Sequence, residues 1–234
     1  MATRTLPCTV CKVRTSCTMT TLTEAQLREF REARVSNTYR RKQVIFYEGH
    51  RPHGVFLVCG GRVKVYKSDG KGHQLTVRIA RPGELLGYRA LLAGEMYTAT
   101  AEALDDAVLT YMEEARFKAF LTQQPALAGR LFAMLARDIR VAEDKARDMA
   151  MKTSRERLAG ELLNVHASLP RGTTGTPFRL PYTRQDLGEI AGLAQETVIR
   201  LLTELEAEKI ISTSGRLMTI LNPQALERRS GAAA

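Results

Sequence analysis

Three cysteines close to the N-terminus, Cys8, Cys11 and Cys17, stand in the spacing C-x2-C-x5-C. Thiolates this near to one another along a chain can wrap a single soft metal centre, because sulfur favours zinc, copper(I) and iron in clusters over harder ions. Three other readings stand beside that one. The trio binds zinc with a fourth ligand such as His50, His53 or His73. It forms a redox-sensing disulfide, most simply between Cys8 and Cys11. Or the thiols are inert. A second group of residues suggests different chemistry. Glu196 and Arg200 lie four apart in QETVIRLL, one helical turn. Arg can clasp guanine through two hydrogen bonds, and Glu can accept from the cytosine amino group.

The elements needed to position the second group are legible around it. Thr183 followed by Asp186 is close to a capping box and starts a helix. Leu187 and Ile190 share one face of it, and Gly192 interrupts the pattern. A second helix runs from about Gln195, with Val198, Leu201, Leu202 and Leu205 at helical spacing. Two short helices joined by a tight Gly-containing turn form a helix-turn-helix, whose second helix enters the DNA major groove. Gln195, Glu196, Thr197, Ile199 and Arg200, near its N-terminus, are the expected DNA-facing residues. Ile199 has no hydrogen bond to offer, but its methyl groups suit a thymine methyl. From Ile210 to Leu221 the chain alternates like a small hairpin, the wing of a winged helix. The competing reading is an ordinary helical hairpin with solvated charges. Helix, Gly turn, Glu–Arg pair and wing occurring together favour DNA.

The chain has 234 residues, enough for two modest domains with cores of their own. No run of 18 apolar residues and no apolar N-terminal signal region is present, so a cytoplasmic protein with no membrane partner is expected. The formal charge is +10, which favours nucleic acid. Its distribution weakens the inference: residues 1–43 hold nine Lys/Arg against three Glu, whereas residues 151–234 hold eleven against nine acids. The motif, not the net charge, assigns DNA reading to the C-terminal part. No nucleophile–base pair, catalytic carboxylate pair or phosphate loop emerges, so an enzyme is not expected.

Four segments follow from texture: a Cys-rich extension over 1–20, a sensory domain over 21–125, a long helix over 126–152, and the winged helix-turn-helix over 153–234. Residues 21–36 carry Leu22, Leu27 and Phe30 on a short amphipathic helix. From Lys42 to about Met112, short strand-like runs punctuated by Gly point to a small antiparallel barrel or jelly roll, making the whole chain α+β. Phe132, Leu135, Ile139, Ala142, Ala146 and Met149 recur at 3-4-3-4-3 spacing. This uncharged heptad seam is expected to form a dimer interface rather than only to lie on its own barrel. Thr153 with Glu156 is a second capping box and starts a helix at Ser154. The stretch 170–177 is a loop.

The order of β-roll, long helix and winged helix resembles the CRP/FNR superfamily of bacterial transcription regulators over nearly the whole chain. The motifs that carry it are YEG…FLVCGGRVKVY…DGKG…GELLG in the roll and ETVIRLLTELEAEKII in the reader helix. The resemblance implies a roll that senses a signal, a homodimer, and two recognition helices reading half-sites of palindromic DNA about one helical turn apart. Glu196 and Arg200 match the family's base-reading positions, while Gln195 and Ile199 fall where members vary. RNA polymerase is the partner this implies.

The family also frames the signal. Members that bind cyclic nucleotide carry an Arg-Ser or Arg-Thr pair after the GE motif; here the matching region offers Met96, Tyr97 and Thr98, with Arg89 a stray cation. The FNR branch has the present cysteine spacing before its roll, where the cysteines ligate an oxygen-labile [4Fe-4S] cluster. The same branch places its fourth ligand near Thr110, a poor ligand for iron. Cys59, in FLVCGGRVKV, can take the fourth role, as can Asp105 or Asp106, although a free cysteine is usually a buried apolar residue. A haem would need His50, His53, His73 or Met96 as axial ligand. The expectation is a cytoplasmic homodimeric regulator reporting oxygen or nitrosative stress through a [4Fe-4S] cluster. Its rivals are a regulator using zinc, thiol chemistry, haem or a nucleotide, and a ligand-binding module that does not read DNA.

Overall fold

The computed structural model describes residues 8, 11, 13–32, 34–168 and 175–231. They fall into two compact units. One comprises the chain up to Lys67 together with Val77–Val141; the other comprises Ser68–Thr76 and the chain from Ala142 onward.

Among the described residues, eight strands build the roll. They are β1 (Arg34–Tyr39), β2 (Val44–Phe46), β3 (Gly54–Gly60), β4 (Val63–Ser68), β5 (Gln74–Ala80), β6 (Leu85–Leu86), β7 (Thr100–Ala103) and β8 (Ala107–Glu113). They form two four-stranded sheets, ordered β1-β8-β3-β6 and β2-β7-β4-β5. Successive side chains of a strand face opposite ways, and both faces of β3 are used. Val58 joins Val63, Val65, Ala101, Ala103 and Leu109 between the sheets. Val55 and Leu57 face the other way, into a second cluster with Leu27, Phe30, Met112, Phe117, Leu127 and Leu131. That double burial explains why FLVC shows no polar alternation.

The outer cluster is roofed by helices. α1 (Glu24–Glu32) buries Leu27 and Phe30. The sequence pattern extended this helix to residue 36, and the structure corrects it: β1 begins at Arg34 and pairs with β8 from Arg34↔Met112 to Tyr39↔Ala107. RVSNTY is a half-exposed edge strand with too few apolar residues to show a period. Its ladder to β8, not its local pattern, makes it a strand. A short helix α2 (Tyr88–Ala93) and helix α3 (Glu114–Gln123) complete the roof.

Helix α4 (Pro125–Met151) carries two apolar stripes. Leu127 and Leu131 are buried, and Met134 and Leu135 pack beside them on the outer cluster. The stripe one step round the helix is left open: Phe132 is 70% exposed and Ile139 59%, and Ala142 and Ala146 are exposed too. Leu135 is therefore shared between the expected seam and the roll, while Met149 is half-buried.

In the second unit, α5 (Ser154–Ala167) opens on the expected capping box. Thr153 N–H donates to Glu156 at 2.7 Å, and Glu156 N–H donates back to the Thr153 hydroxyl at 3.3 Å. Most of the expected 170–177 loop lies outside the described residues. Beyond it come β9 (Phe178–Arg179), α6 (Arg184–Ala191), α7 (Gln195–Ala207), β10 (Ile211–Ser214) and β11 (Leu217–Ile220). The sheet order is β10-β11-β9. A last helix α8 (Pro223–Arg229), capped by the Asn222 side chain on Ala225 N–H, was not legible in the sequence pattern.

Candidate metal centre and nucleic-acid interface

The cysteines converge. Cys8, Cys11, Cys17 and Cys59 all line one cavity of about 220 Å³, together with Arg14, Arg34, Leu57 and Val108. That is far above the ~10–15 Å³ that admits a single water. All four thiols are free and half-buried. Among the described residues no three His, Cys, Asp or Glu side chains already close round a point where one ion would sit. The sulfurs stand on the walls of the cavity instead.

The Gly83–Glu84 turn holds the wall together. Gly83 N–H donates to Val58 O at 2.8 Å, and Val58 N–H donates to Glu84 O at 3.0 Å, so the turn is stitched to β3 beside Cys59. The Gly83 carbonyl accepts from Thr18 N–H at 2.8 Å and from the Thr18 hydroxyl at 2.8 Å, seating Cys17 on the same turn. Only glycine fits here: its φ is +95°, and an added Cβ would lie 2.9 Å from Cys17 Cα. The Thr18 hydroxyl also lies 3.3 Å from Met134 Sδ on α4.

Two cations line the cavity, while burial opposes free thiolates at Cys17 and Cys59. Arg34 Nη1 donates to Cys8 Sγ at 3.4 Å, and Arg14 is a second cation on the lining. Burial pushes the Cys17 thiol up to about 11, against a lowering hydrogen bond from the Met19 backbone. Burial also raises the Cys59 thiol, opposed by its hydrogen bond with Thr110 and by the charge of Arg34. Such thiols keep their protons near neutral pH until a cation displaces them. Arg34 was missed as a site residue because the strand that carries it was missed, and Gly83 and Thr18 carry no chemical signature of their own.

The other candidate ligands lie elsewhere. Asp105 is held by Arg62 at 2.6 and 2.9 Å, and Asp106 accepts from Arg41 N–H at 2.9 Å. His50 rests against the Tyr47 ring, and His73 is exposed and bonded to Asp69 at 2.7 Å. Among the described residues lining the cavity there is no histidine and no carboxylate. Met96 is 55% exposed.

A second cavity of about 230 Å³ opens inside the roll, lined by Phe46, Arg78, Arg89, Glu95, Tyr97 and Thr98 among others. Its innermost cation is already committed: Arg78 pairs with Glu84 at 2.9 Å and with Asp138 at 3.0 Å. Phe46 and Tyr97 stack with centroids 3.9 Å apart.

The reader helix is built as its sequence implied. Thr183 caps α6 with a full box, Asp186 N–H donating to its hydroxyl at 3.0 Å and Thr183 N–H donating to Asp186 at 2.7 Å. Gly192 ends α6 at φ +65°. Gly188 lets the turn close, since an added Cβ would lie 2.6 Å from the Leu193 carbonyl oxygen. Val198, Leu201, Leu202 and Leu205 are buried, which leaves Gln195, Glu196, Ile199 and Arg200 exposed together, with Thr197 half-buried beside them. Arg200 Nη1 donates to Glu204 at 2.6 Å, and Arg155 donates to the same Glu204. Glu206 accepts from Thr213 N–H at 2.6 Å, tying α7 to the wing. Arg216 is exposed beside Gly215 at the wing's tip.

Two family models match: a cyclic nucleotide-binding domain over residues 36–124 and a Crp-like helix-turn-helix domain over 156–229. The chain is 28% identical over 195 residues to the transcriptional activator protein FnrA of Stutzerimonas stutzeri, covering 83% of this chain and 80% of that protein. It is 30% identical over 173 residues to the cyclic AMP receptor protein of Thermus thermophilus, covering 74% of this chain and 77% of that one. The solved structure of FixK2 from Bradyrhizobium japonicum superposes with a TM-score of 0.75 at 30% identity, over 86% of this chain and 99% of that one.

Proposed function

Because the chain belongs to the CRP/FNR superfamily of bacterial transcription regulators, and is itself a DNA-binding regulator of that type, we propose that it senses oxygen or nitrosative stress. The sensor is a [4Fe-4S] cluster anchored by Cys8, Cys11 and Cys17. The observation that carries this reading is the shared cavity lined by all three thiols and two arginines. A thiolate-ligated cluster is negatively charged, and cations or N–H donors beside its sulfurs stabilise it and tune its potential. When bound, the cluster would supply an oxygen-labile core that the N-terminal cysteines hold in the cavity beside the roll.

The protein's own residues carry the signal onward. Thr18 touches both the Gly83 turn and Met134 of α4, so displacement of Cys17 is felt on the long helix. The helix pairs with its copy in a homodimer along Phe132, Leu135, Ile139, Ala142, Ala146 and Met149; the exposure of Phe132 and Ile139 supports this. The dimer presents two α7 helices to a palindromic site, read by Gln195, Glu196, Thr197, Ile199 and Arg200, and acts on RNA polymerase. It is a regulator and not an enzyme. No described helix is long and apolar enough to cross a membrane.

The test is anaerobic purification of the full chain, followed by iron and sulfide analysis, visible absorbance and binding to palindromic DNA before and after air. The expected protein holds iron and sulfide, bleaches in air and changes its DNA affinity as it does so. Replacing Cys8, Cys11 or Cys17 by Ser abolishes the chromophore. Wild-type protein that holds zinc alone, or no metal, refutes the cluster.

A further inference from the structure

We propose that Cys59 is the fourth thiolate of the cysteine centre, and that Thr110 is the hydrogen-bond donor that orients it. This rests on the cluster reading above and assigns the part of the site that reading leaves open.

Position singles out Cys59. It lines the same cavity as the N-terminal trio, whereas Asp105 and Asp106 are engaged outside it by Arg62 and by Arg41 N–H. It also lies where the ladder between β3 and β8 slips. Val58 pairs with Leu109 and Gly60 with Val108, so Cys59 is the extra residue of a bulge. The Cys59 side chain packs on the same outer cluster as Val55 and Leu57, so the alternation of β3 puts the thiol on the cavity wall. The Gly83–Glu84 turn braces β3 at Val58 and holds Thr18 with its carbonyl. One rigid turn therefore sets both Cys17 and Cys59.

The polar neighbours fit a thiolate. Cys59 Sγ lies 3.2 Å from Thr110 Oγ1, and Thr110 Oγ1 lies 3.0 Å from Ser36 Oγ. With Ser36 donating to Thr110 and Thr110 donating to sulfur, a hydroxyl relay crosses three strands and ends on Cys59. Thr110 is only 1% exposed, so this polar chain is held in place. A cysteine serving only as a small apolar filler needs no such relay. On ligation the Cys59 thiol loses its proton to solvent as the sulfur–iron bond forms.

The experiment uses the full chain, anaerobically reconstituted with ferrous iron and sulfide. It compares wild type with Cys59→Ser, Cys59→Ala, Thr110→Val and the pair Cys59→Ser/Thr110→Cys. Iron, sulfide, visible absorbance and far-ultraviolet circular dichroism are measured on each. Both single Cys59 variants should lose the cluster and keep their helical content. The double variant should regain it, since Thr110 Oγ1 is only 3.2 Å from the sulfur it would replace. Thr110→Val should keep the iron but bleach in air at a changed rate. A Cys59→Ser protein that holds iron and sulfide like wild type overturns this inference and leaves the sensing reading intact. Cys59 variants that lose helical content along with iron make Cys59 a packing residue and overturn it as well. Wild type without iron and sulfide overturns both.

Discussion

Replacing Gly188 by Ala sets two effects of opposite sign against each other. Gly188 lies inside α6, where Ala is favoured over Gly by about 1 kcal/mol on helix propensity alone. The new methyl, however, would sit 2.6 Å from the Leu193 carbonyl oxygen, a backbone atom with no rotamer to escape into. The turn must open, at a cost of about 1–3 kcal/mol typical of overpacking. Opening also weakens the bond from Leu193 N–H to Gly188 O, now 2.8 Å, worth about 0.5–1.5 kcal/mol. The steric cost wins, and the net loss is roughly 0.5–3.5 kcal/mol. Gly160, inside α5, is the control: an added Cβ there meets nothing within 4 Å, so Gly160→Ala should gain up to about 1 kcal/mol. Thermal unfolding followed by circular dichroism reads both, at about 2–4 °C per kcal/mol for a chain of this size. DNA affinity should fall for Gly188→Ala, because the same turn sets the angle of α7. If both substitutions raise the midpoint, the turn is not sterically closed and the reasoning fails.

Two further predictions concern partners. Arg200→Ala should lose about 1–3 kcal/mol of preference for the cognate site while binding random DNA almost as before. Its stability should hardly change, because Glu204 keeps Arg155 as a partner; competition binding at fixed salt checks this, and equal loss on both DNAs would make Arg200 a phosphate contact. Ile139→Glu adds a charge to a residue that is 59% exposed in one chain, so the fold should survive. Sedimentation should show monomers that bind palindromic DNA poorly, since an unpaired charge in a buried interface is strongly destabilising; an unchanged dimer would remove the stripe from that role.

Local grammar was readable where a few neighbouring residues decide the outcome. Both capping boxes, at Thr153 and Thr183, form as their side chains imply, because a cap is a contact across three residues. The face of α7 was readable for the same reason: burying Val198, Leu201, Leu202 and Leu205 leaves residues 195, 196, 199 and 200 outward. Strand β1 was not readable. Its apolar content is low, and its partner β8 is more than sixty residues away along the chain, with Ser36 opposite Thr110. Helix α8 hid in a polar tail for want of a period, and its start rests on the single Asn222 cap.

The cysteine spacing and the reader motif stand in the sequence by themselves, because each depends on residues that are near neighbours in the chain. Which fourth group faces the trio does not. On paper Cys59 leads by its chemistry, with Asp105 and Asp106 as alternatives. The fold separates them: β3 puts Cys59 on the cavity lined by the trio, Arg62 takes one carboxylate, and a glycine turn braces both Cys17 and β3. Arg34 entered the site the same way, carried in by a strand that only long-range pairing forms. Chemistry-bearing residues can be listed from composition and spacing, but their convergence is a property of non-local packing, which no local pattern encodes.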